Sequence, residues 1–192
     1  MDQGHENVSQ LLASDVDGHF EQLMLLYQHR LYAFTLRQIG NAQNAEDIVQ
    51  EAFLRAYHAL KNYPPSRIQE MRLQQWLYKI TLNVLRNATR TQQHTEVSLD
   101  LSENSPLPEI EDQASGPDEL FNRQEWQQEL VMLLMTLPPA YRLIINLHYF
   151  ENLSYREIAA LLNQPVGTVK AAVHRAIRLL RIALETGANE AR

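Results

Sequence analysis

A capped helix, a tight turn and a longer basic helix follow one another in residues 153–181, LSYREIAALLNQPVGTVKAAVHRAIRLLR. Ser154 and Glu157 have the spacing of a capping box, in which each side chain satisfies a backbone N–H at the start of a helix. The Asn, Pro and Gly of 163–167 predict a tight turn. A second helix is expected over 168–184. This order of elements is typical of a helix-turn-helix, a motif that places its second helix in the major groove of DNA.

The second helix has an apolar side and a basic side. The basic residues on the outer side recur at i, i+4, i+8 and i+11 and form one stripe. In a helix-turn-helix, the N-terminal residues of the second helix reach base edges, while later cations contact phosphate. The same pattern also fits a solvated basic face on an ordinary helical hairpin. The candidate duplex-DNA contacts are Thr168, Lys170, Ala171, His174, Arg175, Arg178 and Arg181.

Composition and charge restrict the class of protein. The chain has 192 residues, no cysteine and a net charge of −6, which excludes disulfides and thiolate metal sites. Residues 17–91 hold nine Lys or Arg against six Asp or Glu, whereas 92–130 hold one against ten. Two mildly basic blocks are therefore separated by an acidic segment, and local charge decides which surface can meet phosphate. With no signal peptide and no apolar run of about 20 residues, we expect a cytoplasmic protein without membrane insertion.

The pattern predicts an all-α fold with two small helical domains joined by a flexible acidic linker, the second domain containing the helix-turn-helix. Apolar residues recur at helical spacing before the linker in three helices, with Asn44 as a predicted N-cap, and no strand pattern is found. Trp76 falls in the apolar series of the third helix and is predicted to lie in the core. The expected boundaries are a flexible N-terminus at 1–16, a helical domain at 17–91, the linker at 92–116, the helix-turn-helix domain at 117–186 and a tail at 187–192.

Five stretches of the sequence resemble known sequence blocks. LPPAYR at 137–142, LSYREIA at 153–159 and VGTVK at 166–170 resemble region 4 of sigma factors, and NAEDIVQEAFLRAY at 44–57 resembles their region 2.2. WLYKITLN at 76–83 resembles regions 2.3 to 2.4. The likeness is to the extracytoplasmic-function (ECF) group of the sigma-70 family and spans about 17–184. Relatives often have Ser and Arg where this chain has Ala171 and Ala172.

The resemblance implies a sigma factor that binds core RNA polymerase and promoter DNA, both duplex and single-stranded. Region 2.2 would dock on the coiled coil of the β′ subunit through Asp47, Gln50, Glu51, Leu54 and Arg55. Region 4 would bind the minus-35 element and contact the β flap, and an anti-sigma factor is an expected partner. The implied minus-ten contacts, which would melt the duplex and hold the unpaired strand, are Tyr63, Arg67, Lys79, Asn83, Arg86, Asn87 and Arg90.

Other classes of protein fit less well. No catalytic motif is present, the seven histidines show no ligand spacing, and we expect neither an enzyme nor a cofactor or metal site. A dimeric helix-turn-helix repressor with a helical effector domain remains an alternative, although the linker offers no dimerisation seam. A paralogue that binds only proteins is a third interpretation.

Overall fold

The chain consists of two compact units, Met1–Val97 and Ser98–Arg192. The computed structural model describes residues 3–92 and 123–190. Within these residues every regular element is helical, as the all-α prediction required. The predicted linker at 92–116 lies almost wholly outside the described residues.

The first unit contains five helices. Their bounds are α1 Gln3–Ser14, α2 Val16–Ile39, α3 Ala42–Lys61, α4 Pro65–Glu70 and α5 Leu73–Gln92. The three long helices α2, α3 and α5 are those that the apolar periodicity predicted. Their core includes a cluster around Ile48, Ala52, Val84 and Leu85. Phe34 and Tyr78 meet edge to face with ring centroids 5.0 Å apart, which is a favourable aromatic geometry.

The boundary between α2 and α3 follows from two residues. Gly40 ends α2 in the left-handed conformation, with φ of 71°, and its N–H donates to the Leu36 carbonyl. Glycine adopts this conformation without steric cost, which explains the helix stop. Asn41 then caps α3 by accepting a hydrogen bond from the Asn44 N–H at 2.9 Å. The cap is therefore Asn41, three residues before the predicted one.

Two short helices differ from the sequence-based expectation. The expected flexible N-terminus at 1–16 contains helix α1, whose Leu12 is completely buried. The expected loop at 61–72 contains helix α4, and Pro65 occupies its first turn, a position that proline favours. Neither segment is long enough to show a clear helical repeat in the sequence. Helices of this length are stabilised by tertiary packing and not by propensity, so their presence depends on contacts with the rest of the unit.

Within residues 123–190, the second unit contains four α-helices and a π-helical turn. Their bounds are α6 Arg123–Met135, α7 Pro139–Ile145, the π-helical turn Asn146–Phe150, α8 Tyr155–Leu162 and α9 Val166–Glu190. Leu134, Leu137, Ile145 and Ala176 form a buried cluster that joins α6 and α7 to α9. The core of this unit therefore fixes α9, and α9 carries the predicted DNA contacts.

Candidate nucleic-acid interface

The helix-turn-helix of the second unit is α8, the turn 163–165 and α9. The capping box at the start of α8 is complete: the Ser154 N–H donates to Glu157 Oε2 at 2.9 Å, and the Glu157 N–H donates to Ser154 Oγ at 3.4 Å. Asn163 ends α8 in the left-handed conformation, with φ of 55°. Asparagine tolerates this conformation better than most residues, and it turns the chain into α9. The capping box is confirmed, and so is the turn at 163–165. Val166 and Gly167, which were predicted to belong to the turn, are instead the first residues of α9.

A histidine and a tyrosine fix the approach to α8. His148 Nδ1 lies 2.9 Å from the Leu153 carbonyl oxygen, and the His148 ring stacks on Tyr155 with centroids 4.5 Å apart. Because Leu153 precedes the cap and Tyr155 opens the helix, these contacts tie the start of α8 to the preceding turn. The structural role expected for His148 agrees with this geometry.

Helix α9 presents a basic stripe on its outer side. Val169, Val173 and Ala176 are buried against the rest of the unit, so the opposite side of the helix faces outward. The stripe extends over about 16 Å at the rise of an α-helix, which is enough to follow the major groove over several base pairs. Its exposed members are Lys170, His174, Arg178 and Arg181, and the partly exposed residues beside it are Thr168, Ala171 and Arg175.

Ala172 lies on the inner side of α9. It is only 2% exposed, so a small side chain is what this position of the unit accommodates. A longer cationic side chain at position 172 would have to leave the core before it could contact DNA. The chain therefore relies on the stripe, and not on position 172, for positive charge on α9.

Three side chains form a stack at the surface of the first unit. The Arg67 guanidinium of α4 lies 3.7 Å from the centroid of the Tyr63 ring, which is a close cation–π contact. The Tyr63 ring meets Trp76 of α5 edge to face, with centroids 6.1 Å apart. Aromatic rings and arginine side chains are the groups on which unstacked bases bind.

Trp76 was predicted to lie in the core, but the structure leaves it half-buried. Trp76 lies at the border of the buried face of α5, two helical turns before Asn83, and the apolar repeat therefore assigns it to the core. Nothing in the sequence before α4 indicates that the Tyr63 ring contacts Trp76. Sequence reasoning therefore missed Trp76 as a member of the surface stack. The pairing of an aromatic loop residue with an aromatic at the start of α5 is the signal that could have found it.

The remaining minus-ten candidates lie along α5. Lys79, Asn83 and Asn87 are exposed, and Arg86 is half-buried and has a partner within the unit. Their spacing of three and four residues puts them on one side of the helix. The side chain of Arg90 lies outside the described residues. This row thus follows Trp76, the member of the stack that belongs to α5, along the same helix.

An exposed contact between α2 and α3 anchors the start of the segment that holds Tyr63. Asp17 of α2 accepts hydrogen bonds from the Tyr57 hydroxyl at 2.6 Å and from Lys61 Nζ at 2.9 Å. These two hydrogen bonds, the one from Tyr57 being the stronger influence, hold the pKa of Asp17 below the ordinary range of an aspartate. Asp17 is 40 positions from Tyr57 and 44 from Lys61 in sequence, so no local pattern could have predicted the contact.

The candidate docking face on α3 is exposed and mostly polar. Asp47 and Gln50 are exposed, and Leu54 is 56% exposed. Arg55 Nε donates to Glu51 Oε1 at 2.6 Å across one helical turn. An exposed leucine among polar groups is typical of a protein interface, in which one apolar side chain is covered and the rim remains polar.

Metal and membrane sites receive no support from the described residues. Within 3–92 and 123–190, no group of three His, Asp or Glu side chains could hold a metal ion. No helix in the same residues is long and apolar enough to cross a membrane.

Comparison with known proteins gives the same two regions in the same order. Residues 23–95 match the family described as Sigma-70 region 2, and residues 127–180 match the family described as Sigma-70, region 4. The RNA polymerase sigma-H factor of Pseudomonas aeruginosa is 32% identical over 180 residues, covering 90% of this chain and 89% of the relative. The ECF sigma factor SigW of Bacillus subtilis is 30% identical, covering 92% and 94%.

Solved structures show the same fold. CnrH, in a complex with the cytosolic domain of CnrY, superposes with a TM-score of 0.66 at 22% identity and covers 95% of this chain and 98% of its own. RpoE of Bartonella quintana, in a complex with the anti-sigma factor NepR, gives 0.64 at 23% identity and covers 86% and 96%.

The fold and the site define a helical DNA-binding protein with two regions. With these matches, the chain belongs to the ECF group of the sigma-70 family, whose members are transcription initiation factors that direct RNA polymerase to promoters and are not enzymes. The dimeric repressor interpretation is not supported by any of these relatives.

Proposed function

We propose that this chain binds core RNA polymerase through α3, binds the minus-35 element through α9 and opens the minus-ten element through the stack and α5. The observation that supports this most strongly is the exposed basic stripe of α9, presented by a fully capped helix-turn-helix in a chain that has both sigma regions. Duplex recognition requires such a helix to be rigid and outward-facing.

In the minus-35 complex, the N-terminal turns of α9 would meet base edges. Thr168, Lys170 and Ala171 lie there, and Lys170 has the reach of a guanine contact in the major groove. His174 and Arg175 follow one turn later. Arg178 and Arg181 are far enough along the helix to leave the groove and contact phosphate.

In the minus-ten complex, the unpaired strand would stack on the Tyr63–Arg67 pair and continue along α5. Strand opening without ATP requires that bases leaving the duplex gain new stacking and hydrogen bonds. The cations Lys79, Arg86 and Arg90 would contact phosphate, and the amides of Asn83 and Asn87 would contact base edges. The half-buried Trp76 would support the Tyr63 ring from behind.

Polymerase would dock on the exposed side of α3. Asp47, Gln50 and Leu54 would make direct contacts, and the Glu51–Arg55 ion pair would order the rim. The expected partner surface is the coiled coil of the β′ subunit, with a second contact between the helix-turn-helix domain and the β flap. These interactions would take place in the cytoplasm, and the chain would catalyse no step of its own.

Regulation by an anti-sigma factor is a further part of the proposal. Two proteins of the same fold were solved in complexes: the sigma factor RpoE with the anti-sigma factor NepR, and CnrH with the cytosolic domain of CnrY. We also propose two domains at the predicted boundaries 17–91 and 117–186, with the acidic segment 92–116 as the connection between them. The first domain extends beyond its predicted start, because α1 at Gln3–Ser14 packs on α2 and belongs to it.

Co-elution with bacterial core RNA polymerase tests the docking face. The full chain should elute with core polymerase in one-to-one ratio, and Asp47→Lys combined with Gln50→Lys should abolish this at unchanged helix content. The matched control is Glu70→Lys, a charge reversal at an exposed residue of α4, which should leave binding intact. Equal binding by all three proteins would contradict the proposed docking face.

A further inference from the structure

Helix α1 packs against α4, the short helix that bears Arg67. The inner side of α1 is formed by Ser9, Leu12 and Ala13, at the i, i+3, i+4 spacing of one helix face. Leu12 is 0% exposed. The one buried side chain of α4 is Ile68, at 2% exposure. Both helices therefore bury apolar side chains within the first unit, and α1 and α4 pack directly against each other.

Helix α4 has little other support. Among the helices within 3–92, α1 is the principal neighbour of α4, and none of the others approaches it comparably. Helix α1 in turn packs on α2 and touches α5, so it connects α4 to the body of the unit. Because α4 has only six residues, it is too short to be stable by itself, and its position must come from this packing.

The position of α4 decides where the stack forms. Arg67 is the neighbour of the buried Ile68, and its guanidinium covers the Tyr63 ring at 3.7 Å. If α4 were released from α1, Arg67 would lose its fixed distance to Tyr63. The strand-binding faces would then have to be ordered again each time that DNA is captured, at a cost in conformational entropy.

We propose that α1 is a positioning element for promoter opening, with Leu12 as its central positioning residue. Leu12 holds α4 through Ile68, and α4 holds Arg67 over Tyr63 in the arrangement that captures the unpaired strand. This inference rests on the proposed function, since it needs the stack to be the strand-binding site. It assigns a role in strand opening to a helix that lies outside residues 23–95, the range that matches Sigma-70 region 2.

The test uses the full chain bound to core polymerase and a promoter that this holoenzyme selects from genomic DNA. Strand opening is measured as permanganate reactivity of unpaired thymines in the minus-ten element. Core-polymerase affinity and binding of a minus-35 duplex are measured in parallel. The variants are Leu12→Ala, the volume-conserving Leu12→Met and, as the matched control, Gln10→Ala at an exposed position of the same helix.

Leu12→Ala is expected to lower strand opening at least tenfold and to change polymerase affinity and minus-35 binding less than twofold. Leu12→Met should restore most of the opening, because it refills the site, and Gln10→Ala should behave as the wild type. A promoter with a pre-opened minus-ten bubble should reduce the defect of Leu12→Ala, since part of the opening cost is then absent.

Two outcomes would overturn the inference. Opening by Leu12→Ala at the wild-type level would show that α4 does not depend on α1. A parallel loss of opening and of polymerase affinity would show that Leu12 stabilises the whole unit and has no special role in opening. Failure of the proposed function is distinguishable, because Tyr63→Ala in an otherwise wild-type chain would then open the promoter normally.

Discussion

Removing one cation from the basic stripe should change the salt dependence of DNA binding by a defined amount. Each phosphate contact by Lys or Arg releases counterions, so the slope of log K against log salt changes by about 0.9 per contact on duplex DNA. Arg178 is exposed on α9 beyond the first two turns, where a phosphate contact is expected. Arg178→Ala should therefore make the slope shallower by about 0.9, which is about eightfold in affinity at 0.1 M salt if the variants converge near 1 M.

A second residue of the stripe should add to the loss of affinity but not to the change of slope. Lys170 lies two turns before Arg178, where a base contact is proposed, so the two side chains act independently. The double variant should therefore keep the slope of Arg178→Ala, about 0.9 shallower than that of the wild type, and bind more weakly than Arg178→Ala by the same factor at every salt concentration. The control is Arg55→Ala, which removes a cation from the docking face of α3 and should leave the slope unchanged.

The assay is fluorescence anisotropy of a labelled duplex, titrated with the full chain at five salt concentrations. A loss of affinity that is the same at every salt concentration would refute the electrostatic reasoning for Arg178, because it would indicate a base-specific or structural role. A change of slope in Arg55→Ala equal to that of Arg178→Ala would refute the assignment of the stripe itself.

Three further changes test the local structure. Ser154→Ala should cost about 1 kcal/mol of stability by removing the cap of α8, and hydrogen exchange should speed up at the Glu157 amide before it changes in α9. Leu54→Ala should weaken core-polymerase binding severalfold with no change in thermal stability, because the side chain is 56% exposed in the free protein; retained affinity would count against α3 as the docking helix. The pKa of Asp17 is lower in the folded chain than in the unfolded chain. Ionised Asp17 therefore stabilises the fold at pH values above its unfolded pKa, and this stabilisation is lost as the pH falls through its folded pKa. Chemical unfolding of Asp17→Asn and wild type should thus differ at neutral pH and converge in acid, and a constant difference would contradict this.

Much of the fold follows from local patterns in the sequence. The capping box at Ser154 and Glu157, the left-handed Asn163 and the helix stop at Gly40 each have a short-range physical cause, which is why they could be predicted. The basic stripe of α9 is likewise visible, since its period is that of a single helix. The exposure of the stripe could be predicted because the apolar residues of the same helix define the opposite, buried side.

The parts that escaped prediction depend on contacts between distant residues. Helix α1 is short and mostly polar, and only its packing against α2 and α4 makes Leu12 a core residue. The Asp17–Lys61 contact spans 44 positions, beyond any local pattern. Trp76 belongs to an apolar series by type, and its half-exposed position beside Tyr63 depends on where the loop returns to α5.

Transcription of genomic DNA by core polymerase with and without this chain tests the central claim most directly. We predict a limited set of new transcript starts that require the chain and share one motif near minus ten and another near minus 35. Lys170→Ala combined with Arg178→Ala should remove most of these starts while the chain still elutes with polymerase. Starts that are the same with and without the chain would contradict its assignment as a promoter-directing factor.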